Sequence, residues 1–196
     1  MIAGIILAGG RSSRMGGRNK ALLELGGKTL LARLTERFAP QVHALAVNSN
    51  AELNQVSGPN PVLPDRFADF PGPLAGLDAG MCWAEGITGI THIASVSVDT
   101  PFLPADFVNR LSDAGKGVAV ARCGGRLHPT CALWPVSLRD TLEAFLRAGT
   151  SRRVLDFAAA AGYVAVDFPA VPFDPFFNVN TPEELARAES LLEAAE

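Results

Sequence analysis

The feature that most restricts the fold is an apolar run at the start of the chain that leads directly into a glycine-rich loop. Residues 2–8 are continuously apolar and contain three isoleucines, which is typical of a strand buried on both faces of a parallel sheet. The run is too short to span a bilayer and has no basic segment before it, so we expect neither a membrane span nor a signal peptide. Glycines, serines and basic residues fill the loop that follows, residues 9–20.

Strand and helix patterns alternate along the rest of the chain. Strand patterns cover residues 42–48, 61–63, 92–98, 117–121, 130–134 and 165–168. Helix patterns cover residues 29–38, 73–83, 104–111, 136–147 and 151–161, and a last helix begins after a capping box at Thr181 with Pro182 in its first turn. This alternation predicts βαβ units in one three-layer α/β/α domain over residues 1–196, with a mostly parallel sheet.

The charge distribution separates the glycine-rich loop from the rest of the chain. The protein carries a net charge of −3, yet Arg11, Arg14, Arg18 and Lys20 all precede the first acidic residue, Glu24. An acidic total disfavours general nucleic-acid binding, whereas a concentrated basic loop is typical of a site for an anion. A solvated basic surface loop is the alternative. Three scattered cysteines and no CxxC pair disfavour a disulfide framework and a structural zinc site, and favour the cytoplasm.

Informative polar positions follow four of the predicted strands: the loop at 9–20, Asn48, Asp65 and Asp99. In α/β sheets, ligands bind beyond the carboxyl ends of the strands. Consecutive glycines let a backbone approach phosphates, and Arg14 and Lys20 would neutralise a triphosphate. The loop contains neither a Walker A sequence nor GxGxxG, which disfavours a P-loop kinase and a nicotinamide dehydrogenase.

The loop sequence LAGGRSSRMGGRNK at residues 7–20 resembles the signature of the nucleotidyltransferases that activate sugars, alcohols and cofactors from NTPs. Within that superfamily, the whole chain resembles the molybdenum cofactor guanylyltransferase family. The further segments that carry the resemblance are LLELGGK at 22–28, Val47-Asn48, DFPGPLAG at 69–76, VDTPFLP at 98–104, His128-Pro129-Thr130 and NVNTPEEL at 178–185. Their order and spacing together make the match specific.

The resemblance implies a Rossmann-like nucleotidyltransferase fold and the transfer of GMP from GTP to the phosphate of molybdopterin, with Mg²⁺ as cofactor and pyrophosphate as leaving group. Carried onto this sequence, Arg14, Lys20 and Asp99 are expected to be catalytic. The expected nucleotide-binding residues are Leu7, Ala8, Gly9, Gly10, Lys20, Asn48, Asp65 and Asp99. Asn180 is expected close to the metal or the pterin.

Several of these residues also have structural interpretations. Asp99 follows a buried strand, where its carboxylate would hold Mg²⁺, and the alternative is a cap for the next helix. Asn180 would otherwise be a turn residue, and Asp65 a turn former after Pro64. Asn19 departs from the family, which commonly has aspartate before the loop lysine, so we expect it to orient the loop and not to bind metal.

Two other classes of function remain as alternatives. The first is a molybdopterin cytidylyltransferase or another NTP-dependent nucleotidyltransferase; Gly9 and the Gly72-to-Gly76 turn favour guanylyl transfer over cytidylyl transfer. The second is a non-catalytic carrier of the pterin cofactor, which would not need Asp99. We expect a cytoplasmic monomer that binds GTP and molybdopterin, makes transient contact with molybdoenzymes or their chaperones, and binds neither nucleic acid nor membrane.

Overall fold

The computed structural model describes residues 1–9, 19–51, 53, 57–67 and 72–193. Within these ranges the strands are β1 (Ile2–Leu7), β2 (Glu24–Leu25), β3 (Lys28–Thr29), β4 (Ala44–Asn48), β5 (Val62–Leu63), β6 (His92–Ser97), β7 (Val118–Cys123), β8 (Arg126–Pro135) and β9 (Tyr163–Phe168). The α-helices are α1 (Leu30–Phe38), α2 (Pro73–Glu85), α3 (Phe107–Asp113), α4 (Arg139–Ala148), α5 (Val154–Ala161) and α6 (Pro182–Glu193).

Seven of these strands form one sheet in the order β5-β4-β1-β6-β8-β7-β9. All neighbours in it run parallel except β8, which is antiparallel to both β6 and β7. β2 and β3 pair separately as an antiparallel hairpin. The predicted mostly parallel α/β sheet is therefore confirmed.

Helices cover both faces of the sheet, which explains why its central strands are apolar throughout. α1 and α3 pack on one face, where Leu34, Phe38 and Phe107 join a core cluster with Ile6 of β1. α2, α4 and α5 pack on the other face around the opposite residues of β1, including Ile5. The predicted apolar face of α1 is confirmed, because Leu30, Leu31, Leu34 and Phe38 are all fully buried.

The last helix belongs to a smaller core beside the β2–β3 hairpin. Ala188 of α6 is buried in a cluster with Leu23, Leu25 and Val179. α6 thereby secures the segment that precedes it, residues 178–181, which contains Asn180. In the described part of the chain, no helix is long and apolar enough to cross a membrane.

Some predicted boundaries were wrong. The helix expected at 104–111 begins at Phe107, and the helix expected at 136–147 starts with a 3₁₀ turn at Val136–Leu138 before α4. The strand expected at 130–134 is twice as long, since β8 begins at Arg126. The β2–β3 hairpin was not predicted.

Candidate active site

The carboxyl ends of β4, β1 and β6 bring several predicted site residues to one edge of the sheet. In the register of these strands, Leu7 lies beside Asn48 on one side and beside Ser97 on the other. The pairing continues past β1, because the Ala8 N–H donates to the Asn48 carbonyl at 2.9 Å and the Val98 N–H donates to the Leu7 carbonyl at 3.1 Å. The start of the glycine-rich loop therefore lies between Asn48 and the segment that carries Asp99.

Asn48 and Asp65 form a hydrogen-bonded pair where β4 and β5 end. The Asn48 Nδ2 donates to Asp65 Oδ1 at 2.9 Å. Asn50, which the sequence analysis missed, donates from Nδ2 to Asp65 Oδ2 at 2.8 Å and accepts from the Asp65 N–H at 2.8 Å. A carboxylate oxygen has two lone-pair sites, so each oxygen of Asp65 can accept one more donor. This half-buried carboxylate is fixed by two amides and can still bind a ligand with two N–H groups.

Two glycines lie against the Asn48 side chain, which is only 2% exposed. A Cβ on Gly76 of α2 would lie 2.2 Å from Asn48 Oδ1, far closer than side chains approach in proteins. A Cβ on Gly9 would lie 3.3 Å from the same oxygen, which is a tight contact. The second glycine of the Gly72-to-Gly76 turn is therefore needed so that the Asn48 amide can lie beside α2.

Lys20, Asp99 and Asn180 meet although they are far apart in the sequence. The Lys20 Nζ donates to Asp99 Oδ2 at 3.0 Å and also to Asn180 Oδ1. The side chains of Lys20 and Asp99 are 16% and 12% exposed, so this ion pair is largely shielded from water. An ammonium group has three N–H donors. Two of them are used here, and the third can donate to a phosphate oxygen.

Asp99 lies in a tight turn directly after β6. The Thr100 N–H and Oγ1 both donate to the Ser97 carbonyl, at 3.1 and 2.6 Å, and this closes the turn. The predicted alternative, that Asp99 caps the next helix, is excluded because Asp106 holds the N-cap position of α3. The Asp99 Oδ1 is buried and has no hydrogen-bond partner among the described residues.

Asn180 is held by the capping box that the sequence predicts. The Glu184 carboxylate accepts from the Thr181 N–H at 3.0 Å and the Asn180 N–H at 2.6 Å, while Thr181 Oγ1 accepts from the Glu184 N–H at 3.2 Å. The preceding Val179 N–H donates to the Asp99 carbonyl at 2.9 Å. The start of α6 is thus joined through the backbone to the turn that carries Asp99.

The residues around Asp99 fit a Mg²⁺ ion that takes some of its ligands from the protein and the others from a substrate. Asp99 offers a buried carboxylate oxygen, Oδ1, that has no partner in the described ranges. The Asn180 amide oxygen lies nearby, because it accepts from the same Lys20 ammonium as Asp99 Oδ2. Among the described residues, neither this site nor any other has a group of three or more His, Cys, Asp and Glu side chains arranged to hold a metal. Mg²⁺ is commonly bound by one or two carboxylates together with phosphates and water, so a small set of protein oxygens is sufficient.

Two other reactive side chains, both in β8, are buried and unsuited to covalent catalysis. Burial raises the pKa of Cys131 to about 12, so it remains a thiol at neutral pH. Burial also lowers the pKa of His128, which is 5% exposed and packs on the Phe176 ring at 4.8 Å. His128 has a packing role.

Part of the glycine-rich loop lies outside the described residues, including the predicted site residues Gly10 and Arg14. At the end of the loop, Asn19 Oδ1 accepts from the Ala21 N–H at 3.0 Å and caps the 3₁₀ turn at Lys20–Leu22. Asn19 therefore orients the residue that carries the ammonium, in agreement with the role expected for it.

Comparison with known proteins finds a family profile and curated relatives that match this chain. The profile of the family described as "MobA-like NTP transferase domain" matches residues 4–166. A protein named molybdenum cofactor guanylyltransferase from Rhizobium leguminosarum bv. trifolii is 48% identical, over 98% of this chain and 94% of its own. A protein of the same name from Cereibacter sphaeroides is 47% identical, over 96% of both chains.

Among solved structures, the fold is similar to that of molybdopterin-guanine dinucleotide biosynthesis protein A from Archaeoglobus fulgidus. The TM-score is 0.76 at 23% identity, over 99% of this chain and all of the other. At that identity the likeness shows the fold, and the curated relatives show the family. The chain belongs to the MobA-like NTP transferase family.

Proposed function

We propose that this protein transfers GMP from GTP to the phosphate of molybdopterin and releases pyrophosphate. The relatives that match nearly the whole chain at 45 to 48% identity carry the name molybdenum cofactor guanylyltransferase. The structural observation that carries the proposal is the meeting of Lys20, Asp99 and Asn180 at the sheet edge where Asn48 holds Asp65. Lys20, Asp99 and Asn180 suit the binding of phosphates and a cation, whereas Asn48 and Asp65 suit the binding of a nucleotide base.

Asp65 is the proposed reader of guanine. Guanine presents adjacent N1–H and N2–H donors, and the two oxygens of Asp65 each keep one free lone-pair site beside the bonds from Asn48 and Asn50. Cytosine has no such pair of donors. A site built for these donors disfavours a base that lacks them, because the carboxylate would then lose its bonds to water without gaining a partner.

The reaction needs no general base from the protein. A phosphate monoester has its second pKa near 6, so the molybdopterin phosphate is largely a dianion at neutral pH. One of its oxygens forms a bond to the α-phosphorus of GTP as the bond to the β-phosphate bridging oxygen breaks, and pyrophosphate leaves with the electron pair. The protein therefore has to align the two substrates and neutralise charge. Lys20 does this through its ammonium group, and the proposed role of Arg14 is the same.

Mg²⁺ is the proposed cofactor, with Asp99 as its protein ligand and Asn180 adjacent. When bound there, the ion would neutralise negative charge on the α-phosphate and the leaving pyrophosphate. Asp99 also fixes the Lys20 ammonium at 3.0 Å. The same carboxylate thus positions the Lys20 ammonium and would hold the Mg²⁺ ion.

A competition experiment tests the proposal. The purified protein is incubated with molybdopterin, Mg²⁺ and equal concentrations of GTP, CTP and ATP, and the products are identified by mass spectrometry. We expect the GMP adduct of molybdopterin, with one pyrophosphate released for each adduct formed. A CMP adduct would show that the protein is a cytidylyltransferase. Binding of molybdopterin without pyrophosphate release would show that it is a carrier.

The proposal includes the oligomeric state of the enzyme and its place in the cell. We expect a monomer in the cytoplasm that passes its product to molybdoenzymes or their chaperones. Size-exclusion chromatography with light scattering and cell fractionation check the two parts separately.

A further inference from the structure

A group of charged side chains lies beneath the segment that follows Asp65. The Nη1 of Arg66 donates to Asp78 Oδ2 at 3.1 Å and lies 4.0 Å from Glu143 Oε2. The next residue, Phe67, has its ring centroid 5.6 Å from the Arg66 guanidinium and 5.1 Å from that of Arg147. The two residues after Asp65 are therefore bound to α2 and α4.

Asp78 is an unusual residue for its position. It lies in α2, is 0% exposed, and is surrounded in the helix by buried apolar residues. Only its Oδ2 is paired, since Oδ1 has no hydrogen-bond partner in the described part of the chain. Burial raises the pKa of Asp78, whereas Arg66 opposes this effect. An apolar side chain here would avoid the unfavourable burial of a carboxylate, so stability of the helix alone does not account for the aspartate.

We propose that Asp78 and Arg66 are positioning residues for Asp65, and that they set the preference of the enzyme for its nucleotide base. The inference rests on the proposed function, in which Asp65 reads the base. Asp78 does not touch the substrate. It acts through Arg66, whose backbone is bonded directly to that of Asp65.

The geometry restrains Asp65 from two sides. Asn48 and Asn50 bind its carboxylate, and Asp78 binds the side chain of the next residue. Both restraints depend on α2, because Gly76 accommodates the Asn48 amide two residues before Asp78. A change at Asp78 would release one restraint and leave the other intact, so Asp65 would keep its partners but adopt a wider range of positions.

The competing explanation is that the ion pair only joins α2 to α4. A second ion pair makes that connection through a different carboxylate: Arg139 Nε of α4 lies 2.7 Å from Glu85 Oε2 of α2. Arg139 also approaches Glu143, at 3.4 Å, so the control changes Glu85 and leaves Arg139 unchanged. The Glu85→Gln variant is therefore a matched control. It weakens the same helix contact and leaves Arg66 and Asp78 in place.

The experiment compares Asp78→Asn and Glu85→Gln with the wild type, using kcat and KM for GTP and for CTP at saturating molybdopterin, together with melting temperatures. Asp78→Asn keeps one oxygen that can accept from Arg66 but loses the negative charge, so the restraint on Arg66 weakens. We expect the KM for GTP to rise about tenfold, with kcat changed less than about twofold. The preference for GTP over CTP falls by a similar factor. Glu85→Gln keeps the wild-type preference.

A double variant separates positioning from stability. Arg66→Met with Asp78→Leu removes both charges and fills the site with apolar side chains, so it is expected to melt no lower than Asp78→Asn. The KM for GTP should nevertheless remain raised. This variant also provides the test if Asp78→Asn does not fold.

These experiments distinguish failure of the inference about Asp78 and Arg66 from failure of the proposed function. If the wild type itself prefers CTP, the guanylyl proposal is wrong, whereas the inference still requires Asp78→Asn to weaken that preference. Wild-type KM and base preference in a folded Asp78→Asn or double variant would overturn the inference. An equal loss in Glu85→Gln would assign the ion pair to helix packing alone.

Discussion

Replacing Gly76 with alanine tests whether the Asn48 amide holds Asp65 in its binding position. The added Cβ would lie 2.2 Å from Asn48 Oδ1, 2.7 Å from its Cγ and 2.9 Å from Leu7 Cδ2. Asn48 is 2% exposed and has to shift inside a closely packed site. A shift that relieves the overlap lengthens the 2.9 Å bond from Asn48 Nδ2 to Asp65.

The expected change in stability is a balance of three effects. Alanine in place of glycine in a helix interior contributes about 1 kcal/mol in favour of folding. Overpacking of a core costs about 1–3 kcal/mol, and a lost hydrogen bond to a charged group costs about 1.5–3 kcal/mol. The variant should therefore be less stable by roughly 1.5–5 kcal/mol, with a melting temperature lower by on the order of 10 °C. Loss of a positioned Asp65 should weaken GTP binding by about 10- to 100-fold.

Gly80→Ala is the matched control because it lies one turn further along α2. Its Cβ would lie 2.9 Å from Ile93 Cδ1 and 3.1 Å from Ile5 Cγ1, within the apolar core. Thermal unfolding and calorimetric titration with GTP are measured for both variants. We expect both to lose stability and only Gly76→Ala to lose GTP affinity. Wild-type affinity in Gly76→Ala, or an equal loss of affinity in Gly80→Ala, would refute the role given to Asn48.

Four further predictions concern single residues. Asp99→Ala should still fold, with a melting temperature lowered by the loss of the ion pair with Lys20, and lose about 10²–10³ in transfer rate, as measured by pyrophosphate release; near-normal turnover would remove Asp99 from the mechanism. Lys20→Ala should weaken GTP binding in calorimetry and slow transfer, whereas unchanged affinity and rate would reduce Lys20 to a structural partner of Asp99. Asp65→Asn should narrow the difference between GTP and CTP in thermal protection, because an amide offers one acceptor atom; an unchanged difference would place base recognition elsewhere. Thr181→Ala should destabilise the protein by about 1 kcal/mol through loss of the helix cap, and Thr181→Ser should restore it; equal melting of both variants would count against the cap.

The sequence predicted those elements in which local patterns and tertiary packing agree. Residues 3–8 of the apolar run and the four-residue face of α1 are buried, and Thr181 caps α6 as expected. Each of these signals comes from neighbouring residues in the chain. They could therefore be recognised without knowledge of the fold.

The misplaced start of β8 has a physical cause. Residues 126–129 are largely polar or contain proline, and neither is typical of a central strand. In the structure this part of β8 pairs with β7 across a register shift at Val120 and Ala121, and Pro129 lies in the gap of that pairing, where no ladder hydrogen bond is needed. An irregular pairing of this kind leaves no period in the sequence.

The sequence predicted the site residues that lie at the ends of strands, but it did not predict the side-chain contacts that hold them in place. Asn48, Asp65 and Asp99 were recognised because each lies at or just after the end of an apolar strand. Asn50 was missed, since nothing near it in the sequence indicates that it forms two hydrogen bonds with Asp65, 15 residues away. The contact of Gly76 with Asn48 and the pairing of Arg66 with Asp78 likewise depend on how α2 lies on the sheet.

The contact between Lys20 and Asn180 also has a consequence for biosynthesis. The two residues are 160 positions apart, and chains grow at about 5–20 residues per second, so roughly 8–32 s pass between their synthesis. Asp99 is made about halfway through that interval, and Lys20 can pair with it from then on, whereas α6 has not yet been made to hold Asn180 in place. The contacts of Lys20 are completed only in the last stage of translation, so a nascent chain that stops before residue 180 lacks the full group of Lys20, Asp99 and Asn180 even if its central sheet has formed.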